Sequence, residues 1–368
     1  MDEYSFILNK YCFIFYLNFI FINKIDVSIL FISEVLIIIM SAIVSKEQEY
    51  IKKLKNKNNT YKRVIISPLR YAGGKSKAVG IILENLPDIP NKKIVSPFFG
   101  GGSFELSLAT NLNYEVIGYD TFEMLTNFWN VLKYNKKEFI EQLKTFIIDK
   151  EEFTKNRHIL LSYWNKVKPE ELNYKTKKNI DLSDSEKTML DNNKVLQAVY
   201  YYYNMTLSYG PMFLGWPSSA EINKNKFDRR IKFLEKFKMN NVSVSHMNFE
   251  NSIPNHQNDF LFLDPPYYLG KDSKMFKGMY PNCNFAIHHN NFNHDKLCQL
   301  LKNHKGGFIL TYNNCETIRN FYKDYKQIFP EWQYTFGQGE TRIGKNRKED
   351  EKIIKESHEI IIISPPLL

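Results

Sequence analysis

The distribution of short apolar runs along the chain constrains its fold more than any other feature. Seven runs have the length and composition of buried strands. The first two lie close together with a helical pattern between them, as a βαβ unit requires. The long segment between the second and third runs carries helical periodicity instead, for example at Leu196, Val199, Tyr203 and Leu207. The predicted strands are 93–97, 114–119, 242–246, 259–264, 306–312, 332–337 and 358–364.

The first forty residues are a separate segment, rich in Phe, Ile, Leu and Tyr. Its longest uncharged stretch, 11–23, is shorter than the roughly 18 apolar residues that a membrane span needs. It begins with Asp2 and Glu3, whereas a secretory signal begins with basic residues. We therefore expect translation to start at Met40 and residues 1–39 to be a spurious or disordered extension. A membrane anchor is the alternative interpretation.

The charge balance favours an acidic partner. Lys and Arg total 50 against 40 Asp and Glu, which gives a net charge of +10. Nucleic acid or an anionic membrane surface fits this balance. None of the four cysteines forms a Cys-x-x-Cys pair, so a reduced intracellular compartment, cytoplasmic or nucleoid-associated, is expected.

The first glycine cluster lies at 70–76. Its Gly74-Lys75-Ser76 segment is similar to part of a P-loop, but Leu69 stands where a P-loop requires its first Gly. The nucleotide-triphosphatase interpretation therefore fails. A tight turn remains, with Lys75 and the aromatic Tyr71 beside it, suited to an anionic or planar ligand.

The second glycine cluster, Gly100-Gly101-Gly102, follows the first predicted strand and precedes a predicted helix. Glycine lets the chain turn sharply and lets a ligand approach the backbone. A dinucleotide fingerprint would need Gly where Glu105 stands, so a pyrophosphate site is not supported. Asp120 ends the second strand, where a carboxylate can accept both hydroxyls of a ribose. Together the loop and Asp120 predict a nucleoside-containing cofactor.

The third motif is the buried-type strand 260–263 followed by Asp264-Pro265-Pro266-Tyr267. Proline cannot continue a central strand, so a stiff turn follows at the carboxyl edge of the sheet, where ligands of open α/β sheets bind. The turn offers a carboxylate, a carbonyl freed from strand pairing and an aromatic face. These groups suit the exocyclic amine of a planar base, because two acceptors would draw that amine toward a tetrahedral geometry.

These motifs resemble the Dam-like family of S-adenosylmethionine-dependent DNA adenine-N6 methyltransferases, in the motif order of its α group. The resemblance runs from about 68 to 363. The family's Trp/Tyr-Ala-Gly-Gly-Lys segment is matched by 71–75, its Pro-Phe-x-Gly-x-Gly loop by 97–102, and its cofactor-binding acid by Asp120. Its catalytic Asp-Pro-Pro-Tyr is matched by 264–267.

Two weaker similarities and two departures accompany these matches. Residues 197–216 resemble the tyrosine-rich helix and glycine loop of the family's target-recognition domain, and 307–313 resemble the strand and polar turn after the catalytic motif. Ser96 stands where the family usually has Glu, and Asn248 precedes Phe249 where Asp is common.

The resemblance implies an α/β fold, a Rossmann-like seven-stranded methyltransferase core with an inserted, mainly helical target-recognition domain. It also implies that the enzyme methylates N6 of a flipped-out adenine in duplex DNA. The corresponding divisions are an extension at 1–39, a basic arm at 40–66, the cofactor half of the core at 67–130, the helical insert at 131–240 and the catalytic half at 241–368.

S-adenosylmethionine is the cofactor that the resemblance implies. The implied catalytic residues are Asp264, Pro265, Pro266 and Tyr267. The implied cofactor-binding residues are Tyr71, Gly74, Lys75, Pro97, Phe98, Gly100, Gly102, Asp120, Asn248 and Asp264.

Two basic stretches are candidates for DNA contact. Arg229 and Arg230 lie on a predicted amphipathic helix, where phosphate binding and a merely solvated face are equally supported. The Gly-rich segment 337–348 is predicted to be a mobile hairpin that enters a groove, since Arg and Gln side chains read base edges. Its candidate contacts are Gln338, Arg342, Lys345 and Arg347.

Three alternatives to the main prediction remain. In the first, an enzyme of the same fold methylates cytosine N4 or RNA. In the second, the protein is a catalytically silent DNA-binding module on this fold. In the third, it is tethered to a membrane. A restriction endonuclease that acts on the same site without a stable complex is a possible partner. No metal is predicted, because Cys283, His288, His289, His294 and Cys298 match no standard zinc spacing.

Overall fold

A computed structural model of the chain describes residues 46–56, 60–164, 183–210, 213–270, 292–330 and 359–366. The chain divides into two units, Met1–Glu49 and Tyr50–Leu368. Residues 46–49 are the described part of the first unit, and they are helical. No described helix has both the length and the apolar character needed to cross a membrane.

Seven described strands form one sheet in the order β3-β2-β1-β4-β5-β7-β6. Strands β1 to β5 are parallel to one another, and β7 is antiparallel to both β5 and β6. This arrangement confirms the predicted seven-stranded α/β core. The strands are β1 Lys93–Ser96, β2 Glu115–Asp120, β3 Val242–His246, β4 Phe260–Leu263, β5 Phe308–Asn313, β6 Lys326–Ile328 and β7 Glu359–Ser364.

Burial explains why most strands were predictable. The central strands β4 and β5 are buried along their whole length, so their sequences are mainly continuous runs of apolar residues. Six predicted strands are confirmed within about two residues, while the prediction at 332–337 lies outside the described residues. Strand β6 was missed, because its three residues are partly exposed and mostly polar.

Helices surround the sheet and fill the predicted helical segment between β2 and β3. The helical periodicity of Leu196, Val199, Tyr203 and Leu207 is confirmed by the helix Lys194–Leu207, which begins after Asn193. The Asn193 side chain caps this helix by accepting a hydrogen bond from the Leu196 amide at 2.8 Å. The described helices are α1 Lys46–Leu54, α2 Val79–Glu84, α3 Ser103–Leu112, α4 Glu123–Tyr134, α5 Lys136–Thr145, α6 Lys150–Trp164, α7 Asp184–Asn192, α8 Lys194–Leu207, α9 Lys224–Lys236, α10 Phe249–Asn255, α11 His294–Lys302 and α12 Glu316–Phe321.

Helix α8 packs tightly on the rest of the helical segment. Tyr201, Tyr202 and Tyr203 are fully buried, and the Tyr202 ring stacks on Phe128 of α4 at a centroid distance of 5.5 Å. These aromatics belong to the same hydrophobic cluster as β1 and β2 residues. The predicted limits of the insert, 131–240, remain a prediction.

The sheet order places two sequence motifs side by side. Strand β1 pairs with β2 on one side and β4 on the other, so the chain's path along the sheet reverses at β1. In open α/β sheets, ligands bind at the carboxyl ends of the strands at such a reversal. Residues 97–102 leave the end of β1 and Asp264 leaves the end of β4, so both motifs lie there.

Candidate active site at the carboxyl edge of the sheet

A buried ion pair joins the first and third motifs. Lys75 Nζ lies 2.6 Å from Oδ1 and 2.7 Å from Oδ2 of Asp264, although the two residues are 189 positions apart. The lysine side chain is 4% exposed and the aspartate side chain 20% exposed. Because both charges are largely withdrawn from water, each depends on the other for compensation.

Two further contacts fix this pair. Lys75 Nζ also donates to the carbonyl of Gly73 at 3.0 Å, and that glycine has a φ of 76°, which glycine adopts readily. From β5, the Thr311 hydroxyl donates to Asp264 Oδ1 at 2.9 Å. The carboxylate therefore accepts hydrogen bonds from two sides, and its orientation is set by Lys75 and Thr311, which belong to two distant segments of the chain.

The turn after Asp264 is equally constrained. The Tyr267 ring is buried and stacks on Tyr312, with ring centroids 5.9 Å apart, while Lys75 Nζ lies 5.0 Å from its centroid. Asn313 clamps the next residue, since its Oδ1 accepts from the Tyr268 amide and its Nδ2 donates to the Tyr268 carbonyl, both at 2.8 Å. Strand β5 thus holds the turn rigid on the sheet edge.

The glycine loop packs under Tyr71, which unites the first two motifs. Gly100 and Gly102 have φ values of 49° and 61°, in the left-handed region that favours glycine. A Cβ on Gly101 would lie 2.6 Å from the Cβ of Tyr71, so no larger residue fits there without a shift. The aromatic side chain therefore covers the loop directly.

Asp120 is tied to the same loop. Its Oδ2 accepts from the Gly100 amide and its Oδ1 from the Phe122 amide, both at 3.0 Å. Burial raises the pKa of the Asp120 carboxyl above its usual value, against the opposing effect of these amide hydrogen bonds. Each carboxylate oxygen has a second lone pair, so Asp120 retains acceptor capacity for a ribose hydroxyl.

An aromatic cluster lies at the same edge. Phe98, which is half-buried, packs against Phe249 and Phe292 with centroid distances of 5.5 and 5.6 Å. Asn248 lies just beyond the end of β3, exposed, and caps α10 by accepting from the Glu250 amide at 3.0 Å. Its predicted contact with a cofactor remains a prediction.

A buried carboxyl beneath the loop escaped the sequence predictions. Glu105 is 2% exposed, and its Oε1 accepts a hydrogen bond from the Ser96 hydroxyl at 2.7 Å. The pKa of Glu105 is raised to about 8, chiefly by burial and to a smaller extent by Asp264, against the lowering effects of a backbone hydrogen bond, the Ser96 hydrogen bond and Lys75. Ser96, the departure from the family's usual Glu, is thus paired with a carboxyl on the following helix.

The two predicted arginines on α9 differ in their surroundings. Arg229 is exposed, with one contact to the Asn225 carbonyl at 3.3 Å. Arg230 is half-buried, and it donates to the Glu221 carboxylate and to the carbonyl of Thr206 near the end of α8. Arg70 donates to the same carbonyl at 2.8 Å. Arg229 therefore faces solvent, and Arg230 holds two helical elements together.

The remaining predictions for site residues concern segments without a described structure. The four candidate contacts of the segment 337–348 lie outside the described residues, as do Cys283, His288 and His289. Within the described ranges, no group of three or more His, Cys, Asp or Glu side chains is arranged to hold a metal ion.

Comparison with known proteins agrees with the motif analysis. A search of curated proteins found no significant match. The profile of the family described as D12 class N6 adenine-specific DNA methyltransferase matches residues 71–336, most of the chain and all three motifs. The predicted family, fold and adenine-specific DNA methyltransferase activity are thereby confirmed. The chain belongs to the D12 class of N6 adenine-specific DNA methyltransferases.

Proposed function

We propose that the enzyme transfers the methyl group of S-adenosylmethionine to N6 of an adenine flipped out of duplex DNA, and that Asp264 is the central catalytic residue. The observation that carries this proposal is the Lys75–Asp264 pair. It presents an oriented carboxylate at the reversal point of the sheet, on a turn held by Asn313. Preorganised charge of this kind is how enzymes stabilise a transition state without later rearrangement.

The loop side of the site suits a nucleoside-bearing methyl donor. Asp120 has acceptor capacity for ribose hydroxyls, and the half-buried Phe98 offers an aromatic face on the same sheet edge. Gly100 and Gly101 let Tyr71 pack directly on the loop, so a donor bound there would contact the loop beside that ring. When bound, S-adenosylmethionine supplies a methyl group activated by its positively charged sulfur.

The protein's own groups would act on the amine of the base. Adenine N6 is a poor nucleophile, because its lone pair is delocalised into the ring. Asp264 and the carbonyl of Pro265 would each accept a hydrogen bond from an N6 hydrogen, which favours a tetrahedral nitrogen. Lys75 holds the carboxylate in place and compensates its charge. Tyr267 would provide the stacking face for the base.

The target base must leave the duplex to reach this turn, because N6 is inaccessible within the stack. Flipping costs a few kcal/mol, which phosphate and groove contacts must offset. Arg229 is the described candidate for a phosphate contact, and Gln338, Arg342, Lys345 and Arg347 remain proposed contacts. Methylation of this kind would protect the DNA from a restriction endonuclease that cuts the same sequence, and such an endonuclease would be the functional partner of the enzyme.

The proposal is tested by replacing Asp264 with Ala and, to preserve shape, with Asn. We expect turnover to fall by at least about 10²-fold in both variants, while S-adenosylmethionine binding measured by calorimetry largely survives. Glu141→Gln on α5 is the matched control, because it makes the same acid-to-amide change at an exposed carboxylate far from Asp264 in sequence. Normal turnover in Asp264→Asn would refute the assignment.

A further inference from the structure

The positive charge of the chain is concentrated in one segment, which the proposed reaction uses only in part. Residues 50–83 contain nine Lys or Arg and no Asp or Glu, a charge of +9, whereas the whole chain carries +10. Three of these cations pair with carboxylates elsewhere in the chain, namely Lys55, Arg70 and Lys75. By contrast, Lys53, Lys62 and Arg63 take part in no salt bridge with a described residue.

The start of this segment is anchored to the fold. Leu54 is buried, and the Tyr50 hydroxyl hydrogen-bonds with the Ser107 hydroxyl of α3 at 2.9 Å. Further along, the Val64 amide donates to the carbonyl of Ser76 at 2.7 Å. A charge run that merely faces solvent needs no such anchoring, so the basic side chains of the arm have a fixed place on the enzyme.

Topology places one end of this surface beside the active site. The Lys75–Asp264 pair lies at the carboxyl end of β4, whereas β1 begins at the opposite edge of the sheet. The chain between them, including α2, therefore runs from the catalytic edge to the amino edge. Because Ser76 and Lys77 come directly after Lys75, they lie at the catalytic edge.

Two cations meet at Ser76. Arg63 is exposed, and its Nε donates to Ser76 Oγ at 3.1 Å. Lys77, the next residue along the chain, is half-buried, and its pKa is lowered first by burial and then by the Arg63 guanidinium. Like charges held together are unfavourable, and an anion that contacts both relieves their repulsion. A second basic pair follows on the arm, where Lys62 Nζ donates to the Lys53 carbonyl at 3.0 Å.

We propose that Arg63 and Lys77, together with Lys53 and Lys62 of the arm, bind backbone phosphates of the DNA beside the flipped adenine. This inference rests on the proposed function, since it takes the DNA engaged at Asp264 as the ligand. Phosphates offer the complementary charge, and a guanidinium can bind one through two hydrogen bonds. Arg63 precedes residues 71–336, the part that the family profile matches, so it extends the DNA surface beyond the matched domain.

The test compares the full-length wild type with the double variant Arg63→Gln/Lys77→Gln. Binding of one unmethylated DNA duplex is measured by fluorescence anisotropy over a series of salt concentrations. Each phosphate contact contributes about 0.9 to the slope of log K against log salt, so we expect the slope to become shallower by about two. Arg63→Lys keeps the charge and should keep the wild-type slope.

The matched control is Lys302→Gln/Lys323→Gln, which removes the same two charges from exposed side chains. Lys302 ends α11 before β5 begins, and Lys323 precedes β6, which is parallel to β5. Both lysines therefore lie at the amino edge of the sheet, opposite the active site. The control should bind DNA with the wild-type slope.

A second measurement locates the phosphates. Neutral methylphosphonate linkages are placed one at a time along a duplex that the wild type methylates. A linkage close to the methylated adenine should weaken wild-type binding and leave the binding of Arg63→Gln/Lys77→Gln unchanged, because that variant has already lost the contact.

The outcomes separate this inference from the proposed function. A wild-type slope in Arg63→Gln/Lys77→Gln would overturn the inference and leave methyl transfer untouched, as would an equal change in the control or a linkage scan without any such position. A shallower slope in Arg63→Gln/Lys77→Gln, from a protein whose wild type transfers no methyl group to any duplex, would overturn the proposed function and leave the phosphate site standing.

Discussion

Substituting Glu105 by Gln removes a titratable group without changing the size of a buried side chain, so its effect on stability can be worked out in advance. The pKa of this carboxyl is raised from 4.5 to about 8 in the folded protein. Between these values the unfolded chain releases the proton while the folded protein retains it. The folded state therefore binds more protons, and linkage requires its stability to fall as pH rises through this window.

The size of the loss follows from the two pKa values. Each pH unit in which only the unfolded chain is ionised lowers the free energy of unfolding by about 1.4 kcal/mol. For a rise from 4.5 to about 8, the full loss is about 5 kcal/mol. About 4 kcal/mol of it should fall between pH 5 and pH 9. Gln cannot ionise, so Glu105→Gln should become more stable relative to the wild type by this amount across that range.

Urea unfolding at a series of pH values measures this difference directly. We expect the stability advantage of Glu105→Gln to be small near pH 5 and to grow steadily until the pH passes the folded pKa. The comparison between variants cancels the contributions of all other titrating groups. Parallel stability profiles for the two proteins would show that Glu105 titrates normally, and the reasoning from its burial would then be wrong.

Four other substitutions probe separate parts of the molecule. Asp120→Ala should chiefly weaken S-adenosylmethionine affinity, and unchanged affinity by calorimetry would count against its role. Gly101→Ala should destabilise the protein by about 1–3 kcal/mol and weaken the donor site, because the new Cβ meets Tyr71 at 2.6 Å; thermal unfolding measures this. Arg229→Ala should leave stability unchanged but lower the salt dependence of DNA binding by about one charge, whereas Arg230→Ala should lower stability by about 1–3 kcal/mol through its lost contact with Glu221. Equal effects of the two arginine variants on unfolding would contradict this distinction.

Local chemistry made the turn at Asp264–Tyr267 predictable from the sequence. The two prolines after Phe260–Leu263 end a buried strand, and the carboxyl end of that strand is where the structure places Asp264. The glycine loop and Asp120 were predictable for the same reason, since the loop follows the clear strand β1 and Asp120 ends the clear strand β2. The pairing of strands then brings them together, as confirmed by the contact between Asp120 and Gly100.

Contacts between distant segments were not predictable in this way. The Lys75–Asp264 pair spans 189 positions, and Thr311 reaches Asp264 from a strand 47 positions away. No periodicity encodes such distances. Glu105 did carry a signal, because the residues three, four and seven positions later, Leu108, Ala109 and Leu112, are apolar and place it on the buried face of α3.

The central claim is that the Asp264 site methylates adenine N6 with S-adenosylmethionine as donor. Its most direct test is to incubate the full chain with unmethylated duplex DNA and radiolabelled S-adenosylmethionine, then to digest the DNA to nucleosides. We predict label in N6-methyldeoxyadenosine with the wild type and none with Asp264→Asn. Label in N4-methyldeoxycytidine, label that persists in Asp264→Asn, or no label from folded wild-type protein that binds the donor would contradict the account.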